Sequence, residues 1–256
     1  MSTLHPGRVC RCYRSALAFV LGLTAGGLAL LSPWQSLRLL QAQEKSVKPG
    51  INDSFKNPDI NKYLKTFEGE SREIYVQRHK IVSTCAVQPG MVVADVGAGT
   101  GLFTRLFAQA VGPQGKVYAV DISEKFLEHI ETSCRNAGIR NVVTVRGTDV
   151  SPNLPANSID LVFICDTYHH FEYPFRMMTA IHEALKPGGR VVLIDFHRIP
   201  GKSSDWVLGH VRAGQEVVEK EILSCGFRKL REETAIGLKE NYCIVFVKEA
   251  QQPTKK

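Results

Sequence analysis

Three aspartates and three glycines carry the first chemical signal in this chain. Asp95-Val96-Gly97-Ala98-Gly99-Thr100-Gly101 places an acid at the root of a turn with glycine at every second position. Glycine lets the backbone turn sharply and approach a ligand where a Cβ would obstruct it. Asp121 follows Gly101 by twenty residues, and Asp149 follows Gly147-Thr148. An acid placed like Asp121 can accept both hydroxyls of an adenosine ribose. Asp149 suits an adenine exocyclic amine, with Ile122 and Val150 clamping the ring, and Asp95 suits the loop amides or a ligand ammonium.

These residues need strands to hold them. Val92–Val96 is an apolar β-branched run that enters the glycine turn, and Leu102–Val111 continues as a helical pattern ended by Gly112-Pro113. Gly115–Asp121, Asn141–Arg146, Ser158–Asp166 and Arg190–Phe196 read as further strands. Helices fall between them: one from a Ser123 cap through Ala137, closed by Gly138, and one from Pro174 to Leu185, before the turn Lys186-Pro187-Gly188-Gly189. Strands alternating with helices at this spacing make a mostly parallel, doubly wound α/β sheet with helices on both faces. The ending breaks the alternation. After a helix over Gly214–Ser224, strands from Gly226-Phe227 and over Tyr242–Lys248 have only a short polar link between them. A parallel crossover needs about a dozen residues, so one of the two runs against the sheet.

The turn also excludes. A dinucleotide turn, G-x-G-x-x-G, would carry glycine where Leu102 stands, and no Gly-Lys-Ser/Thr follows for gripping a triphosphate. Taken together, Asp95–Gly101, Val120-Asp121-Ile122-Ser123, Gly147-Thr148-Asp149, Ser158-Ile159-Asp160-Leu161-Val162 and Leu185-Lys186-Pro187-Gly188-Gly189-Arg190 resemble the successive motifs of the class I (seven-strand Rossmann-like) S-adenosylmethionine-dependent methyltransferases. The resemblance spans roughly residues 72–248. It implies seven strands in the order 3-2-1-4-5-7-6 with the last antiparallel. It also implies S-adenosyl-L-methionine as cofactor, cradled by Gly97, Ala98, Gly99 and Gly101, with Asp121 on the ribose and Asp149 at the adenine.

The fourth strand delivers Cys165-Asp166-Thr167-Tyr168-His169-His170-Phe171 to the carboxyl edge of the sheet, where ligands of such folds sit. Asp166 joins the cofactor set there. Methyl transfer from a sulfonium needs the acceptor in line and close, and a hydroxyl or amine acceptor also needs a base. His169, His170 and Tyr168 are the candidates for that role, and the alternative is that His-His-Phe only packs the loop. Adjacent histidines diverge on a regular element, so no metal site is expected from them. His197 lies on the same edge, and the polar stretch 199–213, with Trp206, is placed to close over substrate.

The expected acceptor is a small or lipid-like molecule, methylated by in-line displacement. The alternative is a catalytically inactive cofactor-binding protein on the same fold. Of the net charge of +7, Arg8, Arg11, Arg14 and Arg38 in the acid-free first 43 residues leave +3 for everything else, so no nucleic-acid surface is expected. Residues 16–31 are almost wholly apolar with three arginines before them. This suits a signal peptide or N-terminal membrane anchor over 1–43, although a bilayer span needs about 20 residues. Export or membrane attachment through 16–31 is therefore the expected location, with mitochondrial or cytoplasmic placement as alternatives. Residues 44–62 read as a linker, 63–250 as the methyltransferase domain with a helix over Ile60–Ala86 at its start, and 251–256 as a polar tail. The seven cysteines show no metal-ligand spacing and suit small apolar residues.

Overall fold

The computed structural model describes residues 43–249. The apolar run 16–31, the tail 251–256 and the expectations attached to them lie outside these residues. Among the described residues, no helix is long and apolar enough to cross a membrane.

Seven strands form one sheet in the order β3-β2-β1-β4-β5-β7-β6. They are β1 (Val92–Val96), β2 (Lys116–Asp121), β3 (Val142–Arg146), β4 (Ile159–Cys165), β5 (Leu185–Phe196), β6 (Phe227–Glu232) and β7 (Asn241–Lys248). The first five pair in parallel, and β7 is antiparallel to both β5 and β6. The chain moves outward from β1 to β2 and β3, then returns to place β4 on the other side of β1. The crevice between β1 and β4 is therefore the topological switch point.

Both faces of the sheet are covered, which is why its central strands are apolar on successive residues rather than alternate ones. On one face Phe103 and Phe107 of α4 (Leu102–Val111) and Ile81 of α3 (Arg78–Thr84) pack over Val93, Phe163, Val192 and Val245. On the other, Met178 and Ile181 of α6 (Pro174–Ala184) and Ile222 of α8 (Gln215–Ser224) cover Val162, Ile164, Leu193 and Phe246. Cys85, Cys134 and Cys243 are buried as small apolar side chains. Asp160 fastens a sheet end: its carboxylate accepts from the Val92 N–H at 2.8 Å and from Lys186 Nζ at 2.8 and 2.9 Å. The two motifs that carry those residues are thus one ion-paired corner.

Four local readings differ. Lys186-Pro187-Gly188-Gly189 does not precede β5 but is a bulge within it, pairing resuming at Leu161–Arg190 after a shift from Ile159–Leu185. Gly188 supplies the left-handed φ of +74° there. The helix expected over Ile60–Ala86 is three short pieces, α1 (Ile60–Phe67), α2 (Glu73–Val76) and α3, interrupted around Gly69. Ser123 stands at the N-cap of α5 (Glu124–Asn136), yet its hydroxyl makes no cap bond and is buried with no partner among the described residues. The fourth concerns the linker reading of 44–62, which the contacts contradict. The Val47 N–H donates to Glu172 O at 2.9 Å, Lys48 Nζ to Gly209 O at 3.0 Å, and Asn52 Nδ2 to His170 O at 3.1 Å. This segment is a strap across the carboxyl edge, fixed by long-range hydrogen bonds that polar composition cannot reveal.

Phe163 sits fully buried at the centre of β4, with its ring 4.7 Å from Phe103 and 5.0 Å from Phe107. Replacing it by alanine leaves a cavity between the sheet and α4, and a loss of about 3–5 kcal/mol is expected. Urea unfolding of Phe163→Ala against the parent protein measures it.

Candidate functional site

A cavity of about 630 Å³ opens at the carboxyl ends of β1, β2, β4 and β5. Its floor is the glycine turn, its walls are Asp121, Asp149 and the loop after β4, and its roof is the strap with α1. The glycines have distinct tasks. Gly97, at φ +77°, lies so close to Thr167 that a Cβ would come within 2.2 Å of that side chain. Gly99, at φ +52°, faces the roof, where a Cβ would stand 3.3 Å from the Phe67 ring. Gly101 does not line the cavity. A Cβ there would meet Ile130 of α5 at 2.7 Å, so Gly101 seats α4 against α5 and its expected ligand contact is corrected to a packing role.

Asp121 ties the turn to β2. Its carboxylate accepts from the Gly99 N–H and the Ser123 N–H, each at 2.9 Å. Burial pushes this carboxyl up to about 6, against the opposing pull of those N–H groups. Asp95 is buried at the root of the turn, accepts from Thr104 Oγ1 at 2.6 Å, and is pushed by burial up to about 7. Ala98, Ile122 and Asp149 line the cavity. Val150 does not: the turn closed by Thr148 N–H to Ser151 O rotates it away, and Ser151 and Pro152 stand at the wall instead.

Asp166 closes the end of β4 with φ +48°, a left-handed backbone unusual for a residue with a side chain. It is ion-paired with Arg72 beneath the roof and accepts from Asn241 Nδ2 at 2.5 Å. Burial raises its carboxyl above the usual range, with Arg72 opposing. Arg72 and Asn241 carried no signal in the sequence, since each is polar and lies in a segment remote from the glycine turn.

The three proposed proton handlers separate. Tyr168 is fully buried outside the cavity, and its phenol donates to Glu221 Oε2 at 2.9 Å while Glu221 pairs with Arg212. The expectation that Tyr168 faces the acceptor is therefore corrected: it is an anchor for α8. His169 lines the cavity and is held by Asp195, whose Oδ1 lies 2.7 Å from His169 Nδ1 and whose Oδ2 accepts the His169 N–H at 3.0 Å. Burial opposes charge on this ring, but the Asp195 carboxylate outweighs it and holds the imidazole above its ordinary value. Among the described residues its hydrogen bonds run through the backbone N–H and Nδ1, and Nε2 is not engaged. His170, beside it, is pushed down to about 2 by burial and by its histidine neighbours.

Two further wall residues come from the stretch 199–213, which contains the short helix α7 (Asp205–His210). Trp206 stacks on His210 with ring centroids 4.7 Å apart and stands edge-on to Phe196 at 5.5 Å. Arg198 pins this stretch through the carbonyls of Val211 and Leu208 at 2.8 and 2.9 Å. His197 donates its backbone N–H to Glu240 O and does not line the cavity. The one available hint of His210 was its place in a loop already assigned to the carboxyl edge. Asp195 was hidden at the end of an apolar strand.

A seven-strand sheet of this order, with a glycine turn after β1 and a buried acid ending β2, defines a Rossmann-like protein built to hold a nucleoside. Residues 94–193 match the family model described as a methyltransferase domain. A demethylmenaquinone methyltransferase of Geobacillus stearothermophilus is 33% identical over 118 residues, 46% of this chain and 50% of that protein. A ubiquinone/menaquinone biosynthesis C-methyltransferase of Hydrogenovibrio crunogenus is 32% identical over 162 residues, 62% of each. The chain thus spans about half to three-fifths of the length of these relatives. A crystal structure of an S-adenosylmethionine-dependent methyltransferase from Aquifex aeolicus superposes with a TM-score of 0.64 at 22% identity, over 75% of this chain and all of that one. The fold is that of the class I S-adenosylmethionine-dependent methyltransferases, and the methyltransferase-domain match over residues 94–193 points to S-adenosylmethionine as the cofactor.

The residues fit that cofactor. Gly97, Ala98 and Gly99 line the cavity beside Asp121, whose two carboxylate oxygens each accept only one N–H and keep further lone pairs for a ligand's hydroxyls. Asp121→Ala is expected to weaken S-adenosylmethionine binding by about 1–3 kcal/mol, measured calorimetrically.

A pH dependence follows from the two raised carboxyls. Without ligand, Asp95 and Asp121 bind protons more readily folded than unfolded, so their contribution to stability falls as pH rises through about 6 and 7. A cationic ligand that donates hydrogen bonds favours the ionised forms. Its affinity is expected to rise through that range, with protons released on binding. Titrations in buffers of different ionisation enthalpy read the protons released.

Proposed function

We propose that this protein transfers a methyl group from S-adenosylmethionine to a small lipid-like acceptor, a ring bearing an acidic hydroxyl of the quinone or phenol kind. The observation that carries this reading is the junction of two unlike surfaces in one cavity. The glycine turn with Asp95 and Asp121 forms one side, and Phe55, Tyr63, Phe67, Phe126, Trp206 and His169 line other parts of the same cavity. Apolar pockets with a few fixed polar groups suit drug-sized organic molecules. The names of the quinone-methylating relatives agree with that chemistry. The apolar run 16–31 would suit an acceptor dissolved in a membrane.

S-adenosylmethionine, when bound, supplies a methyl group made electrophilic by the adjacent sulfonium. The chain's own residues do the rest. The glycine turn and Asp121 fix the nucleoside end, and the aromatic wall excludes water and orients the ring. Asp195 holds His169 Nδ1, so Nε2 is presented as the proton acceptor for the acceptor's hydroxyl. Loss of that proton puts electron density on the ring for in-line attack, and positioning of the two reactants contributes the larger share.

The test is transfer of labelled methyl to a hydroxynaphthoquinone or to a quinone-containing lipid extract, with S-adenosylhomocysteine formed in equal amount. Protein that is folded and binds cofactor yet methylates neither would sink the reading in favour of a non-catalytic binder. His169→Gln is expected to lower kcat about 10²–10⁴-fold with cofactor affinity retained. Because His169 must be unprotonated to act and its value is raised, kcat/KM should climb with pH to a midpoint above 6.5, and Asp195→Asn should move that midpoint down.

A further inference from the structure

Three imidazoles meet at one corner of the cavity. The 3-10 turn Tyr168–His170 brings the His169 and His170 ring centroids to 4.3 Å, although adjacent residues on a helix or strand would diverge. α7 adds His210, with its centroid 5.2 Å from His169 and 5.0 Å from His170. One ring nitrogen from each lies within 4.8 Å of the other two. His170 Nε2 and His210 Nε2 are 3.3 Å apart. Two ligands about 2.0–2.1 Å from a tetrahedral ion lie about 3.3–3.4 Å apart, so this pair already spans one edge of such a site.

The surroundings are those of metal ligands. Asp195 accepts from His169 Nδ1, which in the neutral ring fixes the tautomer with the Nε2 lone pair outward, as second-layer carboxylates do for metal-bound histidines. Asp195 is itself held by the N–H groups of His169 and Phe196. Trp206 stacked on His210, and Phe55 edge-on to His170 at 5.0 Å, limit rotation of those rings. One charge counts against a cation: Lys48, whose amine donates to the carbonyls of Gly209 and His210. The buried Asp195 carboxylate offsets it.

We propose that His169, His170 and His210 bind one first-row transition-metal ion of the zinc class, with a fourth position open to the cavity. An all-imidazole set favours such ions over magnesium or calcium, which prefer oxygen. The site stands on ring geometry alone and is independent of the transfer reading. The two meet at one atom, since His169 Nε2 cannot hold a metal ion and accept a proton together. A filled site therefore removes the proton acceptor.

The alternative is that the short His170–His210 contact is only an N–H···N hydrogen bond between neutral rings. Full-length protein, stripped with chelator and desalted, is titrated with Co(II) and followed by visible absorption, then challenged with Zn(II). One equivalent of Co(II) giving intense bands of a four-coordinate ion, erased by one equivalent of Zn(II), is the expected result. His210→Ala, whose unchanged far-UV spectrum and metal-free melting confirm folding, should lose the bands at equimolar metal, and Asp195→Asn should weaken binding about 10–100-fold. Absence of bands at tenfold excess Co(II) overturns the proposal, and so do equally strong bands in His210→Ala. Neither reading uses methyl transfer, so the fate of the proposed activity is decided separately.

Discussion

Two backbone N–H groups converge on the carboxylate of Asp121, and the site depends on that convergence. A parallel strand ending in an acid would normally release its chain into solvent. Here the acid reaches sideways to Gly99 and forward to Ser123, so the turn after β1 and the helix after β2 are fixed to one side chain. The glycine turn thereby keeps left-handed φ values at Gly97, Gly99 and Gly101 within a single rigid loop. Fixing that loop costs backbone entropy, and the buried charge-assisted hydrogen bonds offset it. The protein's own hydrogen bonds hold the cradle.

The opposite side of the cavity is organised by a second carboxylate of the same kind. Asp195 at the end of β5 holds His169 through two contacts, while Asp166 at the end of β4 holds Arg72 and Asn241. An acid ends β2, Asp166 follows the last residue of β4, and Asp195 and Asp95 each lie one residue short of the ends of β5 and β1. Each has a different partner: backbone, imidazole, guanidinium and hydroxyl. Parallel strands deliver their carboxyl ends to one edge, so one topology supplies several chemistries without insertions.

The strands, the helices and the antiparallel ending were readable because they rest on strong local signals, namely β-branched runs, helix stops and a link too short for a crossover, whereas the sheet order came only with the family resemblance. Asp95, Gly97, Gly99 and Asp121 were readable for the same reason, being adjacent in one motif or a fixed step from it. What escaped is what folding brings together from afar. Arg72 finds Asp166 across 94 residues and Asn52 finds the His170 carbonyl across 118. The strap looked like a linker because Lys48, Asn52 and their neighbours are polar, and their partners are backbone carbonyls that no side-chain pattern announces. Tyr168 misled for the reverse reason. Its neighbours in the chain face the cavity, but the 3-10 turn sends its ring into the core toward Glu221.

That strap has a kinetic meaning. Its contacts are with residues at 170–175 and 209–210, parts of the chain made more than a hundred residues later. Closing such distant contacts is entropically slow, and they have no surface to meet until β4, β5 and α6 are in place. During synthesis the strap is therefore an early-made segment that must wait, exposed, while the sheet assembles beneath it. The strap is made well before the residues that hold it.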